Sequence, residues 1–152
     1  MKFNLFQPPE FKKEHLNIKN LNNSTNKKWE YSSHGRVSIY HILKPLNIKE
    51  ILIPVYICST VLEPLRRLDI KQIYYDIDLE DLNPSLESIK YFVEKYNIKA
   101  ILVASMYGNP ANMIEIEQYC KKNDIFMIDD AAQSFGAKLD DRYIGTFGDA
   151  GF

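Results

Sequence analysis

The sequence predicts an α/β protein, a mainly parallel sheet with helices on both faces. From residue 31 onward, short apolar runs alternate with amphipathic stretches of about ten residues, the rhythm of strand–helix–strand units. The runs EILIP (50–54), AILVAS (100–105) and IFMID (125–129) are continuous in apolar character, as strands buried on both faces are. Helix punctuation by Ser, Gly and Pro falls between them, so each step reads as a right-handed crossover.

Residues 1–30 are polar and rich in Asn and Lys (NIKNLNNSTNKKW) and are expected to form an extended N-terminal arm. Gly35 opens a helix over Arg36–Leu43 with Val37, Ile39, Tyr40 and Leu43 as its apolar positions, and Pro45 is expected to stop it. EILIP is the first strand, closed by Pro54. Ser59–Leu68 reads as a helix with Val61, Leu62, Leu65 and Leu68 on one side, although Pro64 argues against it. KQIYYDI (71–77) is the second strand. Ser85 is an N-cap for a helix to about Tyr96, with Glu87 in its first turn and Leu86, Ile89, Phe92 and Val93 facing inward. A third strand at 100–105, a helix at 112–122 and a fourth strand at 125–129 follow. GAKLDDRYIG is a hairpin turning near Asp140–Asp141, and another strand begins at Ala150.

Composition narrows the function classes. With 152 residues, 45% hydrophobic and 26% charged, the chain is neither disordered nor collagen-like. Nineteen Lys+Arg against 20 Asp+Glu, a net charge of -1, make no electrostatic case for nucleic acid or an anionic membrane. No stretch approaches the roughly 18 apolar residues of a membrane span. The first 20 residues lack the apolar core and small-residue cleavage site of a signal peptide. Cys58 and Cys120 are far apart and lack metal-ligand spacing, so no metal site is expected, and the expected location is the reducing cytoplasm. The ending GTFGDAGF, apolar and without a stop signal, reads as a chain cut inside a domain.

Ligands of parallel sheets bind outside the carboxyl ends of the strands, so chemistry is expected just after Ile53, Ile77, Ala104 and Ile128, and at the helix start near Gly35. Ile128–Ala137 is the most informative stretch: an apolar strand runs into Asp129 and Asp130, two alanines and Gln133. Unpaired charge is costly to bury, so these carboxylates require a cation, a metal or water. The plain reading is a solvated strand end with an Asp capping the next turn. Ser32–Arg36 places small residues ahead of a helix, which suits a phosphate but equally an ordinary N-cap. Pro54–Cys58 and Ser105–Pro110 place Tyr56, Cys58 and Tyr107 where they would line a ligand or simply pack. Nothing basic near Cys58 lowers its pKa, so no nucleophile is assigned. Three glycines in 145–151 suit a close backbone approach.

Taken together, SHGR (33–36), IPVYICSTV (53–61), YYDID (74–78), MYGNPANM (106–113), MIDDAAQSFGA (127–137) and GTFGDAGF (145–152) resemble the DegT/DnrJ/StrS aminotransferases, fold type I pyridoxal-phosphate enzymes that modify sugars. The resemblance implies that 31–152 is the N-terminal portion of an incomplete large, cofactor-binding domain, with pyridoxal 5'-phosphate as cofactor. It implies that Asp130 pairs with the protonated pyridine nitrogen, that Gln133 lies near the ring hydroxyl, and that Gly35 and Arg36 grip the phosphate at a helix N-terminus. Three positions depart from the family pattern. Arg36 stands where many members have Thr, Cys58 where many place a stacking aromatic ring, and Ser105 where many have His. The family's Schiff-base lysine is expected after Phe152. Lys138, in the hairpin, is not its substitute, so the chain alone is not expected to transaminate.

The resemblance further implies a nucleotide-linked keto-sugar as acceptor, glutamate as amino donor, a role in polysaccharide or amino-sugar synthesis, and a homodimer when complete. A second reading is a catalytically inactive short remnant, or a non-catalytic partner of an intact relative. A third, an unrelated flavodoxin-like or nucleotide-binding domain, lacks any G-x-G-x-x-G or P-loop.

Overall fold

A computed structural model describes residues 30–152, so the expected N-terminal arm lies, apart from Glu30, outside the described residues. The first element is α1 (Gly35–Leu43). It ends at Leu43, as expected ahead of Pro45. Pro45 sits inside a 3-10 turn, Lys44–Leu46, and the chain leaves through Asn47 in the left-handed region at φ 49. Strand β1 (Glu50–Pro54) matches the EILIP run. The helix expected over Ser59–Leu68 divides into a 3-10 turn, Ser59–Val61, and a short α2 (Leu62–Arg67). Pro64 is third in α2, inside the first turn, where a backbone N–H has no helical acceptor and its loss costs little.

Strand β2 (Lys71–Tyr75) is two residues shorter than expected, because Ile77 bridges Pro84 across the turn that follows. Helix α3 (Leu86–Tyr96) starts at the expected N-cap: Ser88 N–H donates to Ser85 Oγ at 3.3 Å, and Asn97 closes the helix at φ 51. Then come β3 (Ala100–Ala104), α4 (Met113–Lys122) and β4 (Phe126–Asp130). A hairpin of β5 (Lys138–Leu139) and β6 (Arg142–Tyr143) precedes β7 (Ala150–Gly151).

The five-stranded sheet has the order β2-β1-β3-β4-β7, and every pairing in it is parallel. Alternation along each strand splits the core in two. Ile51, Ile53, Leu102 and Ile128 pack with Ile39, Leu43, Val61 and Leu65 of the α1–α2 side. Leu52, Ile73, Ile101, Val103 and Met127 pack with Ile89, Val93, Met113 and Ile116 of α3 and α4 on the other side. Helices therefore cover both faces, as predicted, and each buried Ile or Leu contributes about 1.5–3 kcal/mol relative to exposure. None of the described helices is long and apolar enough to cross a membrane.

Candidate cofactor site at the carboxyl edge of the sheet

Asp129 and Asp130 are consecutive on β4, so their side chains go to opposite faces. The structure overturns the expectation of a solvated strand end. Asp129 is fully buried and Asp130 is 6% exposed, because the segment 144–152 folds over the end of the strand. On the α3–α4 side, Asp129 Oδ2 accepts from the Gly145 N–H at 2.6 Å and the Phe147 N–H at 3.1 Å. Its Oδ1 is buried without a partner among the described residues. Burial pushes this carboxyl up to about 7 against the pull of the two N–H groups.

On the α1–α2 side, Asp130 Oδ1 accepts from the Ala132 N–H at 2.9 Å, and no described group donates to Oδ2. Burial pushes its carboxyl up to about 6. A cationic N–H against Oδ2 would supply both the missing donor and the missing charge, returning the group to a carboxylate.

Phe152 ties this carboxylate to the start of α1. Its N–H donates to Asp129 O at 3.1 Å, its carbonyl accepts from Ala131 N–H at 2.8 Å, and its ring lies against Gly35. A Cβ on Gly35 would stand 3.2 Å from that ring. The N-cap, His34, makes no side-chain capping bond, and its carbonyl accepts from Val37 and Ser38. Among the described residues, none accepts from the Gly35 and Arg36 N–H groups at the positive end of α1. The Arg36 guanidinium is paired with Glu63 of α2 (3.4 Å), which also holds Arg67 (2.9 Å). What Arg36 offers at the helix end is thus its backbone N–H.

The other expected residues gather at the same edge. Cys58 is exposed ahead of the 3-10 turn, and its Sγ lies 3.1 Å from Thr60 Oγ1. Hydrogen bonds from the Thr60 hydroxyl and backbone hold the thiol below its ordinary range, with the Asp130 charge opposing them. Tyr107 N–H donates to Gln133 Oε1 at 3.4 Å, and the Tyr56 and Tyr107 hydroxyls meet at 2.5 Å. Ser105 is buried, with its Oγ accepting from Ala111 N–H at 3.0 Å, so it braces the loop after β3. The Lys138 ammonium lies 4.6 Å from the centre of the Tyr143 ring within the hairpin.

The glycines of 145–151 make their close approaches to the chain itself. A Cβ on Gly148 would meet Met127 O at 2.6 Å, and one on Gly151 would meet Gly145 O.

Sequence reasoning missed two supports. Buried Asn83 accepts from Met106 N–H at 3.1 Å and donates to Asn109 O at 3.3 Å, fixing the loop that carries Tyr107. Glu117 of α4 receives two hydrogen bonds from Arg142 (2.9 and 3.1 Å) and one from the Gly148 N–H (2.9 Å), anchoring the segment that covers Asp129. The Asn-Pro pair at 83–84 signals a turn, but nothing local marks its buried amide.

Known proteins resemble this chain in sequence and in fold. GDP-4-keto-6-deoxy-D-mannose 3-dehydratase of Escherichia coli O55:H7 is 36% identical over 99 residues, 65% of this chain and 25% of that protein. GDP-perosamine synthase of Escherichia coli O157:H7 is 30% identical over 120 residues, 77% of this chain and 33% of that protein. The chain thus spans a quarter to a third of the length of these relatives. The structure of E. coli GDP-4-keto-6-deoxy-D-mannose-3-dehydratase with bound hydrated PLP superimposes with a TM-score of 0.75 at 28% identity, over 86% of this chain and 36% of that one. The profile of the DegT/DnrJ/EryC1/StrS aminotransferase family matches residues 34–152, and the chain belongs to that family.

Proposed function

We propose that the described residues form part of the cofactor site of a pyridoxal-phosphate-dependent enzyme that aminates a nucleotide-linked keto-sugar, with glutamate as amino donor. The carrying observation is Asp130, a buried carboxylate at the carboxyl edge with an unbonded Oδ2, tied through Phe152 to the uncapped start of α1. In this reading Asp130 holds the pyridine N–H and keeps the ring cationic. The Gly35 and Arg36 N–H groups take the phosphate, Gln133 faces the ring hydroxyl, and Cys58 borders the ring without stacking on it. Bound there, the cofactor supplies an electron sink for carbanion chemistry next to the substrate nitrogen.

The sugar substrate is supported by the names of the two relatives, both of GDP-linked sugars. A second reading, dehydration of such a sugar, is favoured by the 36% identity to a 3-dehydratase. Both readings concern the complete enzyme, in which we place the Schiff-base lysine after Phe152 and the site at a homodimer interface.

The test is an absorbance titration of the 152-residue chain with pyridoxal 5'-phosphate. Saturable binding, weakened about tenfold or more in Asp130→Ala, is expected, the loss of one charge-assisted hydrogen bond. Binding that the substitution leaves unchanged would sink the role of Asp130. No saturable binding by the unsubstituted chain would overturn the assignment of the site to these residues.

A further inference from the structure

Gln133 can present either end of its amide, and its neighbours decide which. Tyr107 N–H, 3.4 Å from Oε1, is a donor only. The oxygen end therefore faces Tyr107 and the NH2 end is left for a ligand. That choice holds only while the Tyr107 backbone stays where it is. Tyr107 lies at φ 53, a left-handed conformation unfavourable for a bulky residue, and Gly108 follows at φ 79. Asn83 fixes the preceding Met106 N–H, and Asn109 N–H returns to Met106 O at 2.9 Å.

A further restraint, on the side chain itself, is the hydroxyl contact with Tyr56 at 2.5 Å, made between the segments that follow β3 and β1. Tyr107 is 65% exposed and Tyr56 43% exposed, so core packing does not hold either ring in place. The same contact pushes the Tyr107 hydroxyl above its ordinary pKa.

We propose that Tyr56 and Tyr107 act together as positioning residues: their joined hydroxyls hold the turn after β3 so that Tyr107 N–H fixes Gln133 with its NH2 group toward a phenolate-type oxygen on a flat, ring-shaped ligand. The inference rests on the cofactor reading above and adds to it a polarity: Gln133 is a donor, and it favours the ionised ring hydroxyl over the neutral one. Tyr56 is the distant member, acting only through its partner.

The experiment compares the phenolate-to-phenol absorbance ratio of bound pyridoxal 5'-phosphate at one fixed pH in the unsubstituted chain, Tyr56→Phe, Tyr107→Phe, the double variant and Gln133→Glu. Tyr→Phe keeps the ring and removes only the hydroxyl, and circular dichroism checks the fold. The ratio is expected to fall roughly three- to tenfold in each Phe variant, about the worth of one hydrogen bond. The double variant should fall no further than either single one, the mark of a shared contact. Gln133→Glu, which replaces the donor by a carboxylate, should fall at least as far. A lower ratio in Gln133→Glu with no change in Tyr56→Phe would overturn the tyrosine pair and leave the cofactor reading standing. No change in any variant would remove Gln133 from the site, and the pair with it. Absence of saturable binding by the unsubstituted chain would overturn the cofactor reading itself and the pair together.

Discussion

Glu117 and Arg142 decide whether the segment over Asp129 stays closed. Glu117 is buried, and the two Arg142 hydrogen bonds hold its carboxyl well below the ordinary range, at about 2, with Gly148 N–H and Lys121 adding to the effect. A carboxylate whose folded pKa is depressed contributes stability above its unfolded value near 4.5, and that stability is lost as the pH falls toward 2. Asp129 and Asp130 act with the opposite sign in a higher window. Their folded values, about 7 and about 6, lie above the unfolded 3.8, so their share of stability is greatest in acid and declines as the pH rises through those values. The windows overlap only near pH 4, which makes Glu117 separable. Glu117→Gln is expected to cost about 1–3 kcal/mol at pH 7 and to flatten the acid limb between pH 4.5 and 2. Urea denaturation at several pH values measures this; an unchanged acid limb would show that another carboxylate dominates it.

Among the elements, the β5–β6 hairpin turns through Asp140 at φ 46 and Asp141 at φ 63, two consecutive left-handed residues between the pairs Leu139–Arg142 and Lys138–Tyr143. This primed turn suits the twist of the hairpin and aims Arg142 at Glu117. A β-branched side chain fits the left-handed region badly and glycine fits it well. Asp141→Val should therefore cost about 1–2 kcal/mol, whereas Asp141→Gly should be neutral or stabilising. A urea midpoint that moves equally for both would show that the turn is not under backbone control. The turn at Asp140–Asp141 was legible in the sequence, as were β1, α3 and the alternation of strand and helix, because period and punctuation are local signals. What the sequence hid is long-range. The burial of Asp129 depends on backbone N–H groups at 145 and 147, and the Tyr56–Tyr107 contact joins residues 51 apart. No local pattern encodes either, and the same holds for Arg142, which reaches across 25 positions to Glu117. Asp130 and Gln133 were legible as candidates through resemblance, whereas the hydrogen bond that orients Gln133 was not.

At the scale of the molecule, the sheet formed by the described residues ends on two unequal edges. Among the described residues β2, five residues long, pairs only with β1, and β7 holds β4 by two residues. Unpaired strand backbone is a template for further pairing, and Lys71, which could blunt the β2 edge, is already paired with Glu50 at 2.8 Å. At the carboxyl edge Val55, Tyr56, Tyr107 and Phe135 are exposed. Scattered singly such residues mean little, but strand-end segments converge, and apolar surface gathered at one edge promotes association. The 152-residue chain is therefore expected to self-associate at micromolar concentration, with a weight-average mass that rises above 17.8 kDa as concentration increases. Sedimentation equilibrium over a hundredfold range of concentration measures it. A charge placed in the exposed cluster, Phe135→Glu, should shift the equilibrium back toward monomer if that surface drives contact. If it does not, and association persists, strand pairing at β2 or β7 is the cause. A chain that stays monomeric throughout the range would mean that the described fold covers its own edges, and that neither surface calls for a partner.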